Sequence, residues 1–108
     1  MGFITAIALS GLKVSEVRVA NAANNIVNAD SVDFKPKDVI AKSLGEGGVT
    51  VDVKDRPISQ ASLLPAVDIT SELIDTQRAA QAYKASAAVI ATDKELNEFL
   101  LEKISDDD

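Results

Sequence analysis

Carboxylates are the only side chains in this chain plentiful enough to suggest chemistry. Asp75, Asp93, Glu95 and Glu98 fall within one helical stretch. Paired carboxylates do general acid–base work when a second group stands by to relay the proton. None here has a convincing partner of that kind. The chain contains no His and no Cys. That removes the commonest general base, the commonest metal ligand, and any thiol nucleophile, thiolate zinc site or disulfide. Gly45-Glu46-Gly47-Gly48 is glycine-rich like a phosphate loop, but no Lys-Ser/Thr follows and no helix opens there. The isolated carboxylates read as a solvated helix face. The expectation is a protein that is not an enzyme and carries no cofactor and no metal.

With catalysis set aside, the composition turns attention to shape. The chain has 108 residues, enough for one small domain. Hydrophobic residues make up 46%, too many for a disordered tail, but aromatics only 4%. Ala and Val dominate where a globule would use larger side chains. Small residues suit long helices packed closely along their length, so an elongated helical assembly is expected. The net charge of −6 would repel a polyanion, and no basic stripe with interleaved aromatics offsets it. Nucleic acid is therefore excluded as a partner. The opening GFITAIALSGL lacks the basic segment and cleavage site of a secretory signal and is too short to span a bilayer. Met1-Gly2 does not start a myristoylation motif, because Ala6 sits where Ser or Thr is needed. This segment reads as mature structure, with no direct membrane insertion expected.

The elements follow from periodicity. From Phe3 to about residue 29, Ile4, Leu12, Val19 and Ile26 belong to a very broad apolar helix face, wide enough to meet more than one neighbour. Ser10, Lys13, Asn21, Asn24 and Asn28 line the opposite side. Residues 30–66 form a loop-rich insert, opened by Pro36 and by turn-forming Asp30 and Ser31. Within it, Val49-Thr50-Val51-Asp52-Val53 alternates like a strand after the Gly45–Gly48 turn, so a strand or small β-hairpin is expected. A second helix is expected over 67–104, with Pro65 just outside it, Asp68 as N-cap and Glu72 favouring the first turn electrostatically. One phase runs through it at alternating steps of four and three: Ile69, Leu73, Thr76, Ala80, Tyr83, Ala87, Ile90, Lys94, Asn97, Leu101 and Ile104. This is a heptad seam, mostly apolar, with polar breaks at Thr76, Lys94 and Asn97. Residues 105–108 read as an acidic tail. The fold class is mainly all-α: two long helices forming a hairpin or coiled coil, joined by the short insert in one elongated domain, 1–108.

The three asparagines before the turn admit two compatible readings. Asn28 terminates the helix as a cap. Asn24 and Asn28, on one polar stripe, would hydrogen-bond an adjacent helix and fix its register, since a buried amide must be paired. Phe34 is read as an apolar plug over the helix end. Tyr83, the only Tyr, is read as seam core or as an anchor between subunits.

These residues resemble a known family. Ser10-Gly11-Leu12, then Ala23-Asn24-Asn25-Ile26-Val27-Asn28-Ala29-Asp30-Ser31 with Phe34-Lys35, is similar to the amino-terminal signature of bacterial flagellar rod and hook proteins, roughly ANNIANxxTxGYK. Leu64-Pro65-Ala66-Val67-Asp68, Glu72-Leu73 and the run from Tyr83 to Thr92 resemble that family's carboxy-terminal segment. The two motifs stand at opposite ends in the right order and cover about two-thirds of the chain, by the residue-pattern reading that identifies motifs. Asn24, Asn25, Asn28, Ser31 and Phe34 carry the signature; Asp33 departs from it, standing where the family has Gly, and Ser86 stands where it usually has Asn.

The resemblance implies a structural subunit of the flagellar basal-body rod, most similar to the small proximal-rod proteins of the FlgC type because the insert is short. It implies assembly with itself and with other rod and axial proteins, passage through the flagellar type III export apparatus without a cleaved signal, and a place in the periplasm-spanning rod. The interface expected is Ile4, Leu12, Val19 and Ile26 on the first helix, and Ile69, Leu73, Ala80, Tyr83, Ala87, Ile90 and Leu101 on the second. In isolation a homo-oligomer is expected. Two other readings stay open: a soluble coiled-coil module that binds one partner helix, and a divergent paralogue that does not build the rod.

Overall fold

The computed structural model describes residues 2–31, 34–57 and 67–106. Four elements follow one another: α1 (Phe3–Val27), β1 (Lys37–Ser43), β2 (Val49–Asp55) and α2 (Ile69–Asp106). The described residues are thus mainly helical, with two helices and one small antiparallel sheet. It is also elongated. Its extents are 71 × 26 × 17 Å and its radius of gyration is 19.2 Å, against about 13 Å for a compact domain of this length.

Helix α1 ends where the asparagines stand. Asn28 is its C-cap, its N–H bonding the Asn24 carbonyl at 3.1 Å. The Asn28 side chain bonds the same carbonyl at 2.9 Å and the Asn24 side chain at 3.0 Å, and Ser31 Oγ donates to it at 3.3 Å. So Asn24 and Asn28 bond each other rather than a neighbouring helix of this chain. Helix α2 opens as expected on Asp68, whose carboxylate accepts the N–H groups of Thr70 at 3.1 Å and Ser71 at 3.4 Å. It runs two residues beyond the expected end, to Asp106. Asp33, Leu64, Pro65 and the last two residues of the acidic tail lie outside the described residues.

The insert is a β-hairpin in which Lys37 pairs with Asp55 and Ser43 with Val49. The alternating Val49–Val53 segment is its second strand. The first, KDVIAKS, carries Val39, Ile40 and Ala41 in succession and shows no period-2 signal. Val49 and Val51 are half-buried, but Val53 is exposed, so the three valines are not equally covered. Gly47 and Gly48 make the turn with φ of 102° and 92°, a left-handed region that side chains disfavour. The turn rests on α1: a Cβ on Gly47 would meet Phe3 and Ile7 at 3.0 and 3.1 Å.

The hairpin lies lengthwise along α1. Its turn sits over Phe3, Ile7 and Ser10, and its open end reaches Asn21 and Asn25. Strand rise makes Lys37 to Leu44 about 23 Å, and helix rise makes Ile7 to Asn25 about 27 Å, so the two elements match in length. Ser10 is therefore not on a solvent face: its Oγ accepts the Val49 N–H at 3.0 Å and donates to the Ile7 carbonyl at 2.6 Å.

Helix α2 packs on the other flank of α1 and runs in the opposite direction. Thr5 bonds Asp93 at one end, and Asn25 bonds Glu72 at the other. Between them the contact is made of small residues. Ala8, Ser15 and Ala22 of α1 are buried, and Ala79 of α2 is 1% exposed. Gly11 lies so close to Ser86 that a Cβ there would stand 3.0 Å from the Ser86 Oγ. The buried apolar residues among those described are Ala8, Ala22, Ala79, Val14, Val67 and Pro36. Large apolar side chains are mostly on the outside.

Candidate functional site

Two features stand out, one polar and closed, the other apolar and open. The polar one lies where α1, the hairpin and α2 meet. Asn25 is fully buried. Its Nδ2 donates to the Lys37 carbonyl at 3.0 Å and to Glu72 Oε1 at 3.1 Å, and its Oδ1 accepts the Lys37 N–H at 3.2 Å. One amide thus pairs with both backbone groups of Lys37, as a neighbouring strand would, and ties them to α2. Asn21, one turn earlier, adds a bond to the same carbonyl at 2.7 Å.

Glu72 completes the cluster. It is only 2% exposed, and its Oε1 also accepts Arg56 Nη2 at 2.7 Å. Arg56 Nε reaches Asp38 at 2.8 Å, and the Arg56 N–H bonds the Pro36 carbonyl at 2.9 Å. Burial alone would lower the Arg56 pKa. Hydrogen bonds from its guanidinium to Glu72 and Asp38 outweigh that, so it stands above its ordinary value. Among the described residues no buried side-chain nitrogen or oxygen lacks a partner. Glu72 is thus a buried ion-pair acceptor as well as an acid in the first helical turn.

This cluster shares one residue, Asn25, with the expected signature. The sequence had singled out its neighbours Asn24 and Asn28 for contact between helices. The missed signal was the pair Asn21 and Asn25, four residues apart and so on one helix face. Lys37, Arg56 and Asp38 carried no local signal at all, since a loop exit and two strand ends bring them together. Phe34 is half-buried after the helix end, and Ser31 is exposed.

The open feature is the expected interface. Leu12, Ile26 and Ile90 are half-buried; Ile4, Val19, Ile69, Leu73, Ala80, Tyr83, Ala87 and Leu101 are exposed. The face that α2 turns to α1 is instead Glu72, Ala79, Ser86 and Asp93, one heptad apart and one residue before the apolar seam. Lys94 and Asn97 face solvent. Past Asp93 the helix carries Leu96, Phe99, Leu100, Leu101 and Ile104, each more than half exposed. Phe3 and Ile4 join Leu100, Leu101 and Ile104 around an open groove of about 840 Å3.

No His/Cys/Asp/Glu grouping among the described residues has the arrangement to hold a metal ion, and no described helix is long and apolar enough to cross a membrane. No protein-family model matches this chain, and no curated protein does.

Proposed function

We propose that this chain is a structural subunit of the bacterial flagellar basal-body rod, working by helix–helix assembly rather than by chemistry. The observation that carries the reading is the inverted burial of α2. Ala79 and Glu72 are inside, while Leu73, Tyr83, Leu100 and Leu101 are outside. Each Leu or Ile gains roughly 1.5–3 kcal/mol on full burial. A row of them left wet on a rod-like molecule favours growth by addition of neighbours along its length. The motif resemblance at both ends supplies the identity of the assembly.

In this reading the two helices form an antiparallel hairpin. Its outward seam, Ile69, Leu73, Ala80, Tyr83, Ala87, Ile90 and Leu101, completes a coiled-coil type of packing against adjacent subunits, aided by Ile4, Leu12, Val19 and Ile26. The partners are further copies and other axial proteins of the rod. The subunit reaches the rod through the flagellar type III export apparatus, and torque passes through the packed helices. No catalytic step and no cofactor belongs to this role.

Leu73→Asp tests it. Leu73 is 53% exposed, so the change leaves the monomer folded and places a charge in the proposed interface. The expected result is normal protein level with loss of assembly and of swimming. Full motility at normal level contradicts the reading. The open groove by Leu100 and Leu101 also suits one helix of a soluble partner. Light scattering against concentration, with other rod components present, separates the two: a dimer that never grows favours the single-partner module.

A further inference from the structure

We propose that the outer edge of β2 is a self-pairing surface. The hairpin of a second copy adds to it antiparallel, about a two-fold axis at Val53, and the two hairpins become one four-stranded sheet. The inference does not depend on the rod reading, because it uses the hairpin and leaves the apolar seam of α2 free.

The ladder decides which backbone groups are available. The Leu44 N–H bonds the Gly48 carbonyl at 3.0 Å, and the Arg56 N–H bonds the Pro36 carbonyl at 2.9 Å. With Lys37 opposite Asp55, the alternation of an antiparallel ladder makes 38–54, 40–52 and 42–50 the bonded pairs. The N–H and C=O groups of Val51, Val53 and Asp55 therefore point outward, and no bond to them is made among the described residues. The matching edge of β1 is taken at its start. Asn25 holds both backbone groups of Lys37, and Asp38 and Val39 line a cavity that α2 also lines. At the turn end of β2, Ser10 holds the Val49 N–H. The open run is thus Val51 to Asp55.

The side chains on this run match a second copy in one register. Antiparallel pairing of β2 with itself can set Asp52 opposite Thr50, Asp52 or Lys54 of the other chain. The first leaves the charges unmatched, and the second opposes like charges, which destabilises a strand pair. The third sets Asp52 against Lys54 and, by symmetry, Lys54 against Asp52. Its centre is Val53 opposite Val53, with Val51 opposite Asp55, so every outward backbone group finds a partner. Lys54 then lies between two carboxylates, Asp38 across its own hairpin and Asp52 of the second copy. On the valine face of the sheet, Val39 and Val53 of one copy continue into Val53 and Val39 of the other. Val53 is 44% exposed in the single chain, although Val49 and Val51 on the same face are half-buried, and this contact covers it. Charges on an edge strand usually keep other strands away. Here opposite signs flank a valine, which makes the edge complementary to itself, as an isologous contact requires.

Sedimentation of the full chain carrying Leu73→Asp, which opposes association through α2, should show a monomer–dimer equilibrium. The chain has no cysteine, so single replacements read the register. Val53→Cys should form a disulfide between copies, since its Cα atoms would stand about 5.5 Å apart. Val51→Cys should not, because its counterpart lies about 14 Å away along the strand. Lys54→Glu and Asp52→Lys should each weaken the dimer at least about tenfold, since each opposes like charges at two places. An equimolar mixture of the two should regain the dimer as a mixed pair, in which both contacts again join opposite charges. A chain that stays monomeric at every concentration overturns the proposal. So does a dimer that survives Lys54→Glu, a mixture that fails to restore association, or a Val51→Cys cross-link as abundant as that of Val53→Cys.

Discussion

The two ends of the helix pair are built on opposite principles. Where α1 finishes and α2 begins, buried Asn25 and Glu72 are paired with each other and with half-buried Arg56, which reaches on to Asp38. Where α2 finishes, leucines and a phenylalanine stand in solvent beside Phe3 and Ile4. The first end is complete within one chain. The second has the composition of a protein interior with half of it missing. A molecule of this kind is finished where it must hold its own shape and unfinished where it is proposed to meet a neighbour.

Mutations at the closed end should cost the most. Asn25→Leu removes an amide that serves both backbone groups of Lys37 and one oxygen of Glu72. The Lys37 carbonyl keeps Asn21 and Glu72 keeps Arg56, but the Lys37 N–H loses its acceptor, which should destabilise the chain by about 2–3 kcal/mol, measured as a lower urea midpoint with little change in slope. Next comes the small-residue contact between the ends. Ala79→Leu forces three extra carbons into a site that is 1% exposed, and overpacking of this kind costs about 1–3 kcal/mol. If the helices instead tolerate it without loss of stability, their close approach is not a constraint.

The smallest effect belongs to the exposed hairpin surface. Asp52 is held below the usual carboxylate range, first by its hydrogen bond to Lys42 and then by that to Lys54. A folded pKa below the unfolded one stabilises the hairpin above the ordinary carboxylate range, and that stabilisation is lost as pH falls through the lowered value. Because the site lies at the surface and is screened by solvent, the effect should be slight. Lys42→Ala should move the Asp52 titration upward, read by carboxyl carbon chemical shifts, without moving the unfolding midpoint at neutral pH.

The sequence showed the elements better than it showed their faces. The helix to Asn28, the Asp68 cap and the Val49–Val53 strand each carry a local signal: a cap residue, a turn, an alternation. Strand β1 carries none, since Val39-Ile40-Ala41 is a run and not an alternation, and only pairing with β2 makes it a strand. The inner face of α2 was hidden for a different reason. Periodicity weights large apolar residues, so it found Leu73, Tyr83 and Leu101 and passed over Glu72, Ala79, Ser86 and Asp93. Polar and small residues at heptad spacing look like a solvent face until their partners Asn25, Gly11 and Thr5 are in place. The same limit put the interhelical role on Asn24 and Asn28, one residue on one side and three on the other of the asparagine that is buried.

The central claim is that the open apolar face of α2 builds the chain into the flagellar rod, and quantitative immunoblotting of purified basal bodies tests it most directly. The protein should be retained at the level of an axial component. Leu73→Asp, at equal cellular abundance, should be absent. Basal bodies that lack the unmodified protein, or that hold the variant in equal amount, would contradict the account.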